Sequence, residues 1–192
     1  MEYDKGKLSR EQIIQAGAAV VLAKGFAATT MADLSHAANT SSGKLTHHFP
    51  TKASLFEAIY ENLMTHFESG PLAALADASR PPRDRVDGFL NGLYLLYAML
   101  QDPIGCPVGH AAGDSEGVPA AMKKEAFKLL QRIASLLETT FRELGQPPAI
   151  AQAKADLFVN SWQGAIVVAR AGGGLKHLRK VFRDLKEMVD LS

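Results

Sequence analysis

The stretch Thr29–Leu55, TTMADLSHAANTSSGKLTHHFPTKASL, decides how this chain folds. Met31, Leu34 and Ala38 recur at i, i+3 and i+7, one face of a short helix whose free N–H groups Thr29 or Thr30 can cap. Asn39 accepts a left-handed turn and stops that helix. A second short helix opens at Ser41 or Ser42, carries only Leu45 and Phe49 as large apolar residues, and ends at Pro50. Thr51 then caps a longer helix with Leu55, Phe56, Ile59, Tyr60, Leu63, Met64 and Phe67 on its apolar face, ending near Gly70-Pro71.

Upstream, Ser9 and Gln12 have the spacing of a capping box, and Ile13, Ile14, Val20, Val21 and Leu22 form the stripe of a first helix that Lys24-Gly25 stops. Helix, short helix, tight turn and short helix make up a helix-turn-helix. In that unit the second paired helix lies in the major groove, so it needs one or two inward anchors and an outward face of short donors and cations. Leu45 and Phe49 are the anchors. Ser42, Lys44, Thr46, His47 and His48 face outward, Thr29, Thr30, Thr40 and Ser41 flank them, and Lys52 adds a cation in the first turn of the next helix.

Other chemistries fit these residues poorly. Adjacent His47 and His48 project ~100° apart on a helix, and no Cys, Asp or Glu lies between Asp33 and Glu57, so no metal site is expected. No acid is placed to orient a histidine beside a serine, so no catalytic residue is assigned. A solvated helix that touches nothing is the plain alternative.

Downstream, apolar residues keep helical spacing and period-2 alternation never persists, which predicts an all-α protein of about nine helices. Ala74–Asp84, ALADASRPPRD, is the best linker candidate. Helices are expected over 83–101, 105–114, 119–145, from Pro148 to the glycine run 172–174, and over 175–189. The predicted division is a helix-turn-helix domain, 1–52, bridged by helix 53–69 to a larger helical domain, 53–192.

Net charge is +1 over 192 residues, but residues 1–52 hold six Lys/Arg against four Asp/Glu. The remainder is therefore −1, a small bias toward a nucleic-acid partner at the N-terminal end. No apolar run reaches the ~18 residues of a membrane span, and with a single cysteine the chain reads as cytoplasmic, with no membrane partner.

GFAATTMADLSHAANTSSGKLTHHFPTKASLFEAI, residues 25–59, resembles the N-terminal domain of the TetR family of bacterial transcriptional regulators, and the likeness spans about residues 9–63. Gly25, Phe26, Thr30, Leu34, Ala38, Ser41, Gly43, Leu45, His47, His48, Phe49, Lys52 and Leu55 fall where that pattern places such residues. The resemblance implies a homodimer on a palindromic double-stranded DNA operator, usually a repressor, released when a small molecule fills the C-terminal domain. Asn39 stands for the usual Gly, and Thr46 for an aromatic that touches phosphate. Lys44 replaces a small residue, and a long cation there could supply the lost phosphate contact.

GCPVGHAAGD (105–114) and WQGAIVVARAGG (162–173) resemble a branch of the family with GCL.GN and W.GA....A[K/R] motifs, several members of which answer reactive electrophiles or small acids. Cys106 at a helix start with Arg170 beside it would be a stabilised thiolate, but a lone cysteine more usually serves as a small apolar filler. Phe89, Tyr94, Tyr97, Met99 and Trp162 are core residues or pocket lining, and His110 is solvated, hydrogen-bonded locally or a minor pocket residue. The effector pocket expected from the sequence is therefore Phe67, Phe89, Tyr94, Tyr97, Cys106, His110, Trp162 and Arg170. No cofactor is implied.

The last two helices have stripes suited to a four-helix homodimer interface or, equally, to burial within one chain; the resemblance favours the dimer. The expected function is a one-component, ligand-responsive transcriptional regulator and not an enzyme. The alternative is a helical small-molecule-binding protein without specific operator binding.

Overall fold

The computed structural model describes residues 5–99, 105–113 and 118–191, and every regular element among them is helical. Helices α1 (Lys5–Lys24), α2 (Met31–Ala37), α3 (Ser42–His48) and α4 (Lys52–Phe67) form the N-terminal part. Three of the four starts follow from side-chain caps. The Thr30 hydroxyl accepts from the Asp33 N–H while the Asp33 carboxylate accepts from the Thr30 N–H, and Thr51 and Ser54 repeat that reciprocal arrangement. Ser41 caps α3 by accepting from the Lys44 N–H. Gly25 (φ 84°) and Asn39 (φ 47°) take left-handed conformations at the two stops. The first helix differs from expectation: it begins at Lys5, so Ser9 lies within it and is not its cap. No proline in Lys5–Leu8 interrupts the N–H to C=O ladder.

Phe26 fills the centre of this part, edge-on to Phe56 with ring centroids 5.2 Å apart and 6.3 Å from Tyr60. Leu34, Leu45, Phe49, Leu55 and Ile59 close round it, all buried.

Beyond Phe67 the rod does not stop at Gly70-Pro71. It widens into a π turn, Glu68–Leu72, and continues as α5 (Ala73–Ala76). The wider turn accommodates the ring of Pro71, which is buried against Gly92 of α6 (Pro82–Met99). The expected linker thereby shrinks to Asp77–Pro81, where the Asp77 carboxylate accepts from both the N–H and the hydroxyl of Ser79. Those two bonds hold the Asp77 carboxyl below its ordinary range.

The rest comprises α7 (Pro107–Gly113), α8 (Ala120–Glu143), α9 (Pro148–Val168) and α10 (Gly174–Asp190), with a π turn, Ala169–Gly173, and a kink at Gly172 (φ 123°) before α10. Helix α8 packs against α7 and α9, and α10 packs against α6 and α9. One buried cluster runs from Ile13 through the aromatic centre, Phe67, Phe89, Phe158 and Trp162, to Val189. Helix α10 is strongly two-sided. Leu178, Phe182, Leu185 and Val189 are covered within the chain, whereas Lys180, Arg183, Asp184 and Glu187 are exposed. Helix α9 instead leaves Ile150, Leu157, Val167 and Val168 in solvent.

Candidate functional site

The geometry of α3 follows from its two anchors. Leu45 and Phe49 are 1% and 2% exposed, which turns Ser42, Lys44, Thr46 and His47 outward and leaves His48 half-buried. Arg10 of α1 covers the Phe49 ring at 5.0 Å, fixing the helix end from above. The imidazoles of His47 and His48 meet edge to face, 5.5 Å between centroids. The Thr46 hydroxyl donates to the Ser42 carbonyl at 2.8 Å. That bond turns the Thr46 oxygen back along the helix. Ser41 and Thr40 border a shallow polar hollow with Ser35, His36 and Asn39, at the turn between α2 and α3.

Two of the expected residues need separate treatment. Thr29 is fully buried and donates its hydroxyl to the Gly25 carbonyl at 2.7 Å, so it locks the turn after α1 and does not belong to the outer face. Thr30, although exposed, shares its hydroxyl with Asp33, and Lys24 reaches the same carboxylate at 2.6 Å. The Lys24 ammonium, with the Thr30 N–H and hydroxyl, holds the Asp33 carboxyl well below its ordinary value of 3.8. Lys52 sits half-buried with its ammonium 5.0 Å above the Phe56 ring and 3.5 Å from the Ala27 carbonyl. It stands at the edge of the face.

Among the described residues a cavity of about 600 Å³ lies between α1, α4, α6 and the start of α7. Its deep end is formed by Leu22, Phe67, Leu93, Tyr97, Cys106 and Val108, all buried. Its rim holds Gln15, Ala19, Asn62 and His66. Of the eight residues expected around a pocket, Phe67, Tyr97 and Cys106 line it. Phe89 and Trp162 stand behind: Trp162 stacks on Phe67 at 6.3 Å and meets Phe89 edge-on at 5.6 Å. Tyr94 turns to the other side of α6, where its ring lies 5.1 Å from the Arg179 guanidinium and its hydroxyl accepts from that group.

Cys106 fits the apolar-filler reading and not the stabilised-thiolate one. It is the N-cap of α7: its carbonyl accepts from the His110 N–H at 2.8 Å and its sulfur accepts from the Gly109 N–H at 3.3 Å. The Gln163 amide also points at Sγ, at 3.6 Å. Burial pushes the thiol pKa up despite these donors, so the thiolate is disfavoured. Arg170 does not stand beside it. The guanidinium donates to the Ala23 carbonyl at 3.2 Å and meets the His110 ring, 2.8 Å from Nε2. His110 is consequently buried and hydrogen-bonded, the second of the expected alternatives, and not solvated. The same corner explains Gly105, where a Cβ would collide with the Leu22 carbonyl and the His110 ring.

Sequence reasoning missed the wall supplied by α1: Gln15, Ala18, Ala19 and Leu22. Ala18 and Ala19, small residues between Gln15 and Leu22, were the available signal, whereas Gly17 admits Ile59 of α4.

Comparisons with known proteins agree with both halves. Residues 13–59 match the family described as "Bacterial regulatory proteins, tetR family", and residues 82–184 match "Transcriptional regulator LmrA/YxaF-like, C-terminal domain". The HTH-type transcriptional repressor DhaR of Mycobacterium sp. (strain GP1) is 21% identical over 163 residues, covering 82% of this chain and 80% of that protein. Among solved structures, a TetR-family regulator from Agrobacterium tumefaciens superposes with a TM-score of 0.79 at 19% identity, covering 96% of this chain and 98% of that one. AibR, solved with isovaleryl coenzyme A and operator DNA, gives a TM-score of 0.68 at 18% identity over 94% and 97%. The capped helix-turn-helix, the helical second half and these matches together place the chain in the TetR family of non-enzymatic, DNA-binding transcriptional repressors, which are typically ligand-responsive.

Proposed function

We propose that this chain binds a palindromic operator as a homodimer, with residues 1–52 as the DNA-reading part and 53–192 as the effector-binding and dimerisation part. The carrying observation is the α3 face: two buried anchors hold Ser42, Lys44 and His47 outward on a helix fixed at both ends. Thr30, Thr40, Ser41, Thr46, His48 and Lys52 complete the contact surface. Lys44 supplies an exposed cation on this helix, able to reach a phosphate or a base edge. The direct test is binding of the purified protein to its own upstream DNA over a salt series. Affinity at least about a thousandfold above that for random duplex is expected; equal affinity for both overturns the reading.

The homodimer reading rests on α9. Ile150, Leu157, Gly164 and Val168 follow a seven-seven-four spacing along one exposed side, and a Cβ on Gly164 would meet nothing within the chain. Such a stripe suits close packing against a second copy, edged by the charged outer side of α10. Sedimentation of Leu157→Glu tests it: a monomer is expected, and an unchanged dimer argues against α9.

A small molecule in the cavity releases the operator in this reading, because α1 and α4 form two of its walls and also support the helix-turn-helix. Cys106 serves the site as a wall and a helix cap, which its burial and raised pKa support, and not as an electrophile sensor. Operator release by N-ethylmaleimide that is lost in Cys106→Ser would restore the sensor role.

A further inference from the structure

We infer that the effector is an uncharged, mainly apolar small molecule, with its apolar body against Leu22, Leu93 and Val108 and a neutral hydrogen-bonding head at the rim. The inference rests on reading the cavity as the effector site.

Three features carry it. The cavity of about 600 Å³ is within the range that encloses a drug-sized ligand. Its deep end offers a polar group only neutral partners. The Cys106 sulfur already takes the Gly109 N–H, and the one orphaned polar atom nearby, the buried Trp162 indole N–H behind Phe67, is a neutral donor. Burial raises the pKa of both Tyr97 and Cys106, so neither adds a charge at neutral pH. A charged group driven in there would lose its hydration with no opposite charge to replace it.

The third feature is the rim. Gln15 and Asn62 provide amides, each with a donor and an acceptor, and His66 provides an imidazole. No Lys, Arg, Asp or Glu is among the described lining residues. Among these residues a carboxylate or phosphate head would meet no Lys or Arg, and an ammonium head no Asp or Glu. An alcohol, phenol, ketone or amide would find complementary groups for either polarity. A ligand seated this way touches Gln15, Ala18, Ala19 and Leu22 directly, so its presence bears on α1 without an intermediary.

The test uses the full-length protein, with N-phenylnaphthylamine as a neutral fluorescent probe and octanol, octanoate and octylammonium as competitors at neutral pH. Probe fluorescence should rise on binding and be lost when the cavity is filled in Leu93→Trp or, leaving the core intact, in Ala19→Trp at the rim. Octanol should displace the probe at about tenfold lower concentration than either ion. His66→Lys, which adds a cation at the rim, should improve octanoate about fivefold without improving octanol, a change that simple partitioning would not produce. If octanoate or octylammonium competes as well as octanol in the unmodified protein, or if His66→Lys leaves octanoate unchanged, the ligand class is wrong while the cavity stands. If the probe fails to bind, or binds equally to both filled variants, the cavity is not the effector site and the inference falls with it.

Discussion

Residues 29–55 and residues 119–168 are both helical, yet they are held in different ways. In the first region Thr30, Ser41 and Thr51 satisfy the free N–H groups of their own helices, and left-handed Asn39 ends α2. In the second, α8 and α9 start behind Pro119 and Pro147 with no side-chain cap and depend on buried faces such as Met122, Ala126, Ile133 and Leu137 against Ala155, Phe158 and Trp162. A seven-residue helix such as α3 cannot rely on length, because the first turn costs more than it returns. Caps and two anchors make up the difference. Helices of 24 and 21 residues have enough apolar area to dispense with caps.

The comparison can be broken in order of expected effect. Phe49→Ala removes one of the two α3 anchors; it should lower stability by about 3–5 kcal/mol in urea unfolding and abolish operator binding. A folded variant that still binds would show that α3 is held by its caps alone. Next, Lys44→Ala should cost about 1–3 kcal/mol on the preferred operator and relax the choice of sequence, while Lys52→Ala should weaken binding to all duplexes and flatten the salt dependence. Identical effects of the two in a competition assay would remove the distinction between reading and gripping.

Cys106 tests the packed region. A raised thiol pKa means thiolate forms only above the ordinary thiol range. Iodoacetamide should therefore modify the folded protein about tenfold more slowly than the urea-unfolded chain at neutral pH, with the onset of reaction displaced to higher pH. Smaller effects separate the two kinds of helix start: Thr51→Ala should cost about 1 kcal/mol by thermal unfolding, and Pro147→Ala less than about 0.5 kcal/mol. Equal costs would mean that caps matter no more in one region than in the other. The smallest concerns Asp33. Its folded pKa is depressed, so the stability it contributes is complete above 3.8 and fades as pH falls below that value. Asp33→Asn should flatten that part of the acid unfolding curve, and an unaltered curve would separate the Lys24–Asp33 contact from stability.

The helix-turn-helix was largely legible because its signals are local. Hydroxyls one residue ahead of an apolar period, Asn39 and Pro50 at the ends, and Leu45 with Phe49 four apart fix α2 and α3 without knowledge of any partner. Thr29 was misplaced for the same reason: only the fold shows that, of two adjacent threonines, one caps α2 and the other is sealed against Gly25. The cavity was harder to see. Aromatic content pointed to Phe89, Tyr94 and Trp162, but helix rotation sends Tyr94 to Arg179 and puts the other two behind Phe67.

The sequence by itself therefore determined the helical class, the placement of most helices and the outward face of α3, because each depends on contacts within about one turn of chain. Tertiary structure alone decided that Arg170 reaches the end of α1 and not Cys106, and that the thiol is buried and disarmed. It also decided that α10 covers its own stripe while α9 leaves one open, and that α1 walls the cavity. Each of these joins residues far apart in the chain, 147 positions in the case of Ala23 and Arg170. Periodicity gives the face of a helix but not its neighbour.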